Sequence, residues 1–152
     1  MQVNTRCVIG IGCDDHGDQI AGLLVARMVQ RIAPEELRVV ESVGAPAELT
    51  SAWRDAADAV VVEAMPGDEP GEIQWCQPHP RQPARGCSSA RLSPRLREAL
   101  ALGPLPERIR VVTIAGRCFA PDAPVTPSVA GAAARVADTI LADRPARVLT
   151  GV

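Results

Sequence analysis

Apolar residues return along this chain in two alternating rhythms: short runs of β-branched side chains, and stretches in which apolar residues recur at helical spacing. The first run, Cys7–Ile11, predicts a strand buried on both faces. A turn follows, Gly12-Cys13-Asp14-Asp15-His16-Gly17. Ile20, Leu24, Met28 and Ile32 then recur at i+4, with Leu23 beside them, and predict a helix over Gln19–Ile32 with Asp18 as its N-cap and Pro34 as its stop. Leu37–Val43 and Asp58–Ala64 read as the second and third strands, with a short helix near Ala47–Ala57 between them. Glu72–Cys76 reads as a shorter strand nearer an edge. The segment Gln77–Ser89, with Pro78, Pro80, Pro83 and Gly86, suits neither helix nor central strand and predicts an irregular loop. Ser93 caps a helix with Pro94 in its first turn, which Gly103-Pro104 ends. Arg108–Ile114 is a further strand, and Thr126-Pro127 opens a last helix that Pro145 ends.

Strands alternating with helices predict an α/β protein whose parallel or mixed sheet is covered on both faces. Its 152 residues suit a single domain spanning 1–152, with about 145–152 as a frayed tail. A hydrophobic content of 47% excludes a disordered chain. No apolar run is long enough to cross a membrane, and the start, MQVNTR, leads into a strand rather than a signal peptide. A cytoplasmic location is the expectation.

All sixteen basic residues are arginine, which excludes a Schiff-base lysine and a P-loop lysine. The net charge is −2, no basic run occurs, and aromatics are only one Phe and two Trp, so nucleic-acid binding has no footing. Five cysteines, at 7, 13, 76, 87 and 118, are odd in number and contain no C-x-x-C pair. They predict a reducing compartment and mostly free thiols rather than a disulfide frame or zinc ribbon.

In such a sheet the carboxyl ends of the strands share one rim. That rim predicts a meeting of Cys13, Asp14, Asp15, His16 and Asp18 with Glu41, Glu63 and the loop before Ser93. Carboxylate and imidazole together suit a divalent transition metal, and cysteine favours softer ions. Each residue also has a plainer role. Asp18 serves as a cap, Asp14 and Asp15 as solvated turn residues, His16 as a lone loop histidine, His79 as an exposed residue between prolines and Cys7 as core. Glu63 is the most informative, because a carboxylate closing a buried apolar strand must meet solvent, a partner or a ligand. Cys13 precedes a helix N-terminus, a setting that activates thiols. Other chemistries fall away. Gly10-Ile11-Gly12 begins a G-x-G-x-x-G fingerprint, but Asp15 stands where the third glycine belongs and would repel a pyrophosphate. There is no G-x-S-x-G elbow and no H-E-x-x-H.

Gly10-Ile11-Gly12-Cys13 followed by Asp18-Gln19-Ile20-Ala21-Gly22 resembles the signature of the hydrogenase maturation endopeptidases, G-[IV]-G-N and then D-[DE]-x-x-G. VVVEAMPGDEPGEIQ is similar to that family's strand ending in D-A with a P-G turn into the next strand. CSSARLSPRLREALALGPLPERIRVVTIAG is similar to its S-[SP]-H loop, L-x-x-A-L helix and following strand, and FAPDAPVTPSVAGAAARV to its entry into the last helix. The resemblance runs in order over nearly the whole chain. It implies a three-layer α/β/α sandwich around a mostly parallel sheet. It implies an endopeptidase that recognises the nickel-loaded large-subunit precursor of a nickel–iron hydrogenase and removes its C-terminal extension, with no cofactor of its own. It also implies three metal ligands, which fall here on Gln19, Glu63 and Ala90; the family's asparagine falls on Cys13 and its glycine pair after the second strand on Ser42-Val43. Two expectations follow. Either the site is rebuilt, with Asp18 and Glu63 as catalytic carboxylates, with Asp18, Glu63 and His16 as metal ligands, and with His79 or the thiols of Cys13 and Cys87 as further donors, or the chain is a relative that binds the hydrogenase precursor or a maturation factor without cutting.

Overall fold

Residues of alternate parity on the central strands divide the interior into two layers. Cys7, Ile9, Ile11, Ala59, Val61, Ile109 and Val111 pack on one side with Leu49, Trp53, Leu96 and Leu100. Val8, Val60, Val62, Val112 and Ile114 pack on the other with Val25, Val29, Val129, Val136 and Ile140. Period-two alternation with both faces apolar is what a sheet covered on both sides requires. The computed structural model describes residues 5–33, 35, 37–79, 87 and 91–143. The expected tail, Pro34 and Ala90 lie outside the described residues.

The elements run β1 (Arg6–Ile11), a 3-10 turn (Gly17–Ile20), α1 (Ala21–Ile32), β2 (Leu37–Ser42), α2 (Pro46–Trp53), β3 (Asp58–Pro66), β4 (Ile73–Cys76), α3 (Pro94–Ala101), β5 (Arg108–Gly116) and α4 (Pro127–Ala142). The sheet order is β2-β1-β3-β5-β4. The first four pair in parallel, and β4 runs antiparallel to β5 at one edge. Helices α1 and α4 cover one face, and α2 and α3 the other, so the expected three-layer sandwich is the observed one. The chain winds from β1 outward to β2 and then back past β1 to β3. Open α/β sheets bind ligands beyond the carboxyl ends of the strands at such a reversal, here β1 and β3.

Helix α1 sits unusually close to β1. A Cβ at Gly10 would lie 2.1 Å from the Gly22 carbonyl oxygen, and one at Gly22 would lie 2.3 Å from that of Ile11. The two glycines let helix and strand backbones touch, and this contact sets the height of the β1–α1 turn above the sheet.

Three elements differ from expectation. A 3-10 turn precedes α1, so Asp18 is inside the turn, not the N-cap; His16 caps the turn and Ile20 caps α1, neither with a side-chain cap bond. Strand β3 runs on to Pro66, so Glu63 lies within it, paired in register with Thr113. Cys76 and Cys87 form a disulfide, contrary to the expectation of no disulfide frame, while Cys7, Cys13 and Cys118 are free. Proximity explains the bridge: eleven positions after Cys76 the chain is back at the end of edge strand β4, and Cys87 is buried there.

Candidate functional site at the crevice between β1 and β3

The β1–α1 turn follows the carboxyl end of β1 and is held by bonds to the end of β2 and within itself. The Gly12 amide donates to the Ser42 carbonyl (2.9 Å), the Cys13 amide to Gln19 (3.2 Å) and the Gln19 amide to His16 (3.1 Å). Arg27 of α1 donates two bonds to Asp14 (2.8 and 3.2 Å) and two to Glu41 (3.2 and 3.0 Å), tying the turn to the end of β2. Those bonds hold the Asp14 carboxyl below the usual carboxylate range. Inside the turn, the Cys13 Sγ and the His16 Nδ1 lie 3.1 Å apart, both side chains half-buried.

Asp18 is fully buried. Its carboxylate accepts from the backbone amides of Arg117 (2.7 Å), Cys118 (3.0 Å) and Thr126 (2.6 Å), and from the Thr126 hydroxyl (2.7 Å). Burial pushes this carboxyl up, but the bonds from Thr126, Arg117 and Cys118 outweigh it and hold it below its ordinary value. The side chain expected to cap a helix or hold a metal instead fastens the loop between β5 and α4 to the first turn. Both its oxygens are occupied in doing so.

Glu63 lies in β3, the strand beside β1. Odd-numbered residues of β3 face α2 and α3, and Glu63, only 3% exposed, meets the start of α3, where its Oε2 accepts from the Ser93 amide (2.8 Å). The Ser93 hydroxyl accepts in turn from the Leu96 amide, as the expected N-cap. Burial pushes the Glu63 carboxyl up, opposed by the hydrogen bonds from Ser93 and the charge of Arg97. A carboxyl that resists ionisation is suited to holding and passing a proton.

Beyond Glu63 a cleft of about 330 Å³ opens past the ends of β3 and β5, lined by Asp68, Glu69, Glu72, Gln74, Arg91 and Thr113 among others. Arg91 donates to the Pro66 carbonyl (3.1 Å), and Thr113 donates to the Arg91 carbonyl (3.4 Å).

The expected ligand set does not assemble as such. Among the described residues, no three His, Cys, Asp or Glu side chains are grouped to hold a metal ion. Gln19 is exposed, as is His79, and the Cys87 sulfur is committed to its disulfide and is not available as a thiol donor. The fold does bring together Cys13 with His16, and Asp18 with residues 117–126. The partners of Asp18 lie about a hundred positions away, at separations of 99 to 108, and their backbone amides carry no side-chain signal in the sequence.

No protein-family model matches the chain and no curated protein is significantly similar to it. Solved structures are. The chain is similar to the hydrogenase maturating endopeptidase HybD from E. coli, with a TM-score of 0.72 at 18% identity over 91% of this chain and 90% of that one. It is similar to the hydrogenase 2 maturation peptidase from a Thaumarchaeota archaeon, with a TM-score of 0.68 at 17% identity over 91% and 96%. It is also similar to the hydrogenase maturation protease HycI from Thermococcus kodakarensis KOD1, with a TM-score of 0.61 at 20% identity over 90% of both. The chain therefore has the fold of these endopeptidases over nine-tenths of its length.

Proposed function

We propose that this protein is a hydrogenase maturation protease-like factor that recognises the nickel-loaded large-subunit precursor of a nickel–iron hydrogenase and removes its C-terminal extension. The observation that carries this reading is the fold, shared with those endopeptidases over nine-tenths of the chain, together with the pinned Cys13–Gly17 turn after β1 and the buried Glu63 in β3. The polar cleft past the ends of β3 and β5 gives an extended peptide somewhere to lie. The nickel arrives with the precursor, as part of the substrate, and a metal at a scissile carbonyl supplies Lewis acidity. Proton transfer to the leaving amine falls to Glu63 and not to Asp18, whose oxygens are already engaged. A cytoplasmic setting, where such precursors are assembled, belongs to the same reading.

One observation favours a second reading, binding without cleavage. Two of the three ligand positions implied by the family hold Gln19 and Ala90, and the neighbouring Asp18 is spent on structure. The test is incubation with a nickel-loaded large-subunit precursor from the same genome, read by mass, with metal-free precursor as control. Loss of the extension from the loaded form alone supports the protease. An uncut, stable complex on a sizing column supports the binding factor. Neither cleavage nor complex rejects both.

A further inference from the structure

Cys13 and His16 form a C-x-x-H step inside one turn, and their donor atoms are already 3.1 Å apart. Protein metal sites place sulfur about 2.3 Å and imidazole nitrogen about 2.0 Å from a borderline divalent ion. Two such donors at a right angle to the metal are about 3.1 Å apart, and at a tetrahedral angle about 3.5 Å. The observed spacing is that of a thiol–imidazole hydrogen bond, and it also equals one edge of a square-planar or octahedral sphere, so the pair would need little movement to exchange the shared proton for a metal ion. Square-planar geometry is characteristic of nickel(II) and copper(II), and imidazole is a ligand that suits both.

The turn is also fixed before any metal comes. Arg27 clamps Asp14, the Asp122 amide donates to Asp15 (2.7 Å), and the Asp18 amide donates to Cys118 (2.8 Å). Gly17 has φ +59°, and a Cβ there would lie 2.3 Å from the Cys118 carbonyl oxygen, so only glycine lets the turn press against that segment. Asp14 and Asp15, between the two donors, add negative charge that favours a cation. With no third donor grouped beside the pair among the described residues, it gives a free ion two ligands and leaves the rest of the sphere to water. It can complete the sphere of an ion that another molecule already holds.

We infer that Cys13 and His16 are a chelating edge that joins the coordination sphere of a thiophilic divalent ion, nickel foremost, presented by a partner protein. This rests on the reading of the protein as a receiver of a nickel-loaded precursor, and it puts recognition of that metal on the first turn. On binding, Cys13 coordinates as the thiolate, its proton leaves to solvent, and the imidazole donates through Nδ1.

The test uses the full chain and the metal alone. Cobalt(II) or nickel(II) is titrated anaerobically without reductant, so that the Cys76–Cys87 disulfide stays closed, and thiolate-to-metal charge-transfer absorption is read. The wild type develops the band. Cys13→Ser abolishes it, His16→Ala weakens affinity by at least about tenfold, the lower end of what losing even an outer-shell partner costs, and Cys118→Ser leaves it intact. Circular dichroism verifies that each variant is folded. No band in the wild type, or a band that survives Cys13→Ser, overturns the inference. Binding of the nickel-loaded precursor is scored separately. A protein that shows the band but ignores the precursor supports the chelate and removes the hydrogenase reading. One that binds the precursor without showing the band overturns the chelate and leaves that reading standing.

Discussion

Burial raises the cost of ionising both Asp18 and Glu63, yet the two carboxyls end on opposite sides of their ordinary values because Asp18 has four donors against that cost. The sign of each effect on stability follows. The folded-state value of Asp18 is depressed, so its contribution is present above the unfolded value of about 4 and is lost as pH falls through the lower folded value. The folded-state value of Glu63 is raised, so ionisation costs stability as pH climbs above about 4.3. Asp18→Asn puts an amide N–H against buried donors and should lower stability at pH 7 by roughly 3 kcal/mol. Glu63→Gln keeps an acceptor for the Ser93 amide and should be neutral to stabilising at pH 7, with any advantage gone below about pH 4. Urea unfolding of both variants from pH 3 to 8 reads this directly. A precursor-processing assay adds the functional half: Glu63→Gln that is stable yet inactive marks a carboxyl retained for chemistry at a cost in stability. Equal destabilisation by both substitutions would contradict this division of roles between the two carboxyls.

At the scale of elements, the glycines between α1 and β1 say why the first turn stands where it does. A Cβ at Gly22 would meet the Ile11 carbonyl at 2.3 Å and the Val62 carbonyl at 2.5 Å, both backbone atoms of neighbouring strands that cannot swing aside. Gly131 is also helical, in α4, but a Cβ there would find only the tip of Arg135, at 3.6 Å. Gly22→Ala should therefore cost about 3 kcal/mol through overpacking, even after the gain in helix propensity. Gly131→Ala should raise stability by roughly 0.5–1 kcal/mol. Thermal midpoints of the two variants would check the opposite signs. At this scale the sequence is readable. The buried runs Cys7–Ile11 and Ala59–Val62 read as strands because a sheet covered on both faces leaves no polar alternation to confuse them, and Arg108–Ile114 reads as one through Ile109 and Val111–Ile114 despite its two arginines. Gly22 is visible as part of a motif, but its physical reason, backbone contact with two strands, needs the fold. The end of β3 escapes a sequence reading because Met65 and Pro66 look like loop, whereas pairing of Ala64, Met65 and Pro66 with Ile114, Ala115 and Gly116 extends the strand past Glu63.

At the scale of the molecule, what the sequence conceals is contact between distant segments through backbone groups or through sulfur. The amides that hold Asp18 belong to Arg117, Cys118 and Thr126, and no residue type announces an amide donor. The disulfide is concealed because five cysteines without a C-x-x-C pair carry no connectivity, and only the antiparallel turn of β4 against β5 shows why Cys76 and Cys87 meet. The bridge also bears on where the protein works. In a cytoplasm poised by glutathione a disulfide of this kind is ordinarily reduced, so a cytoplasmic factor must keep its fold with the two thiols open. Cross-linking residues eleven apart is worth about 3 kcal/mol at most by the chain-entropy argument. Cys87 is 2% exposed and packs in the layer with Leu92 and Leu96, so its thiol keeps that burial after reduction. Protein purified in air and denatured should accordingly titrate three thiols, and five after reduction. The reduced form should unfold at a lower midpoint by less than the full cross-link value while its circular dichroism at 25 °C is unchanged. Five thiols without reduction would mean that the bridge does not form in the isolated protein. Loss of the folded signal on reduction would show that the bridge, and not the packing around Cys87, holds the loop before α3, and would count against a cytoplasmic role.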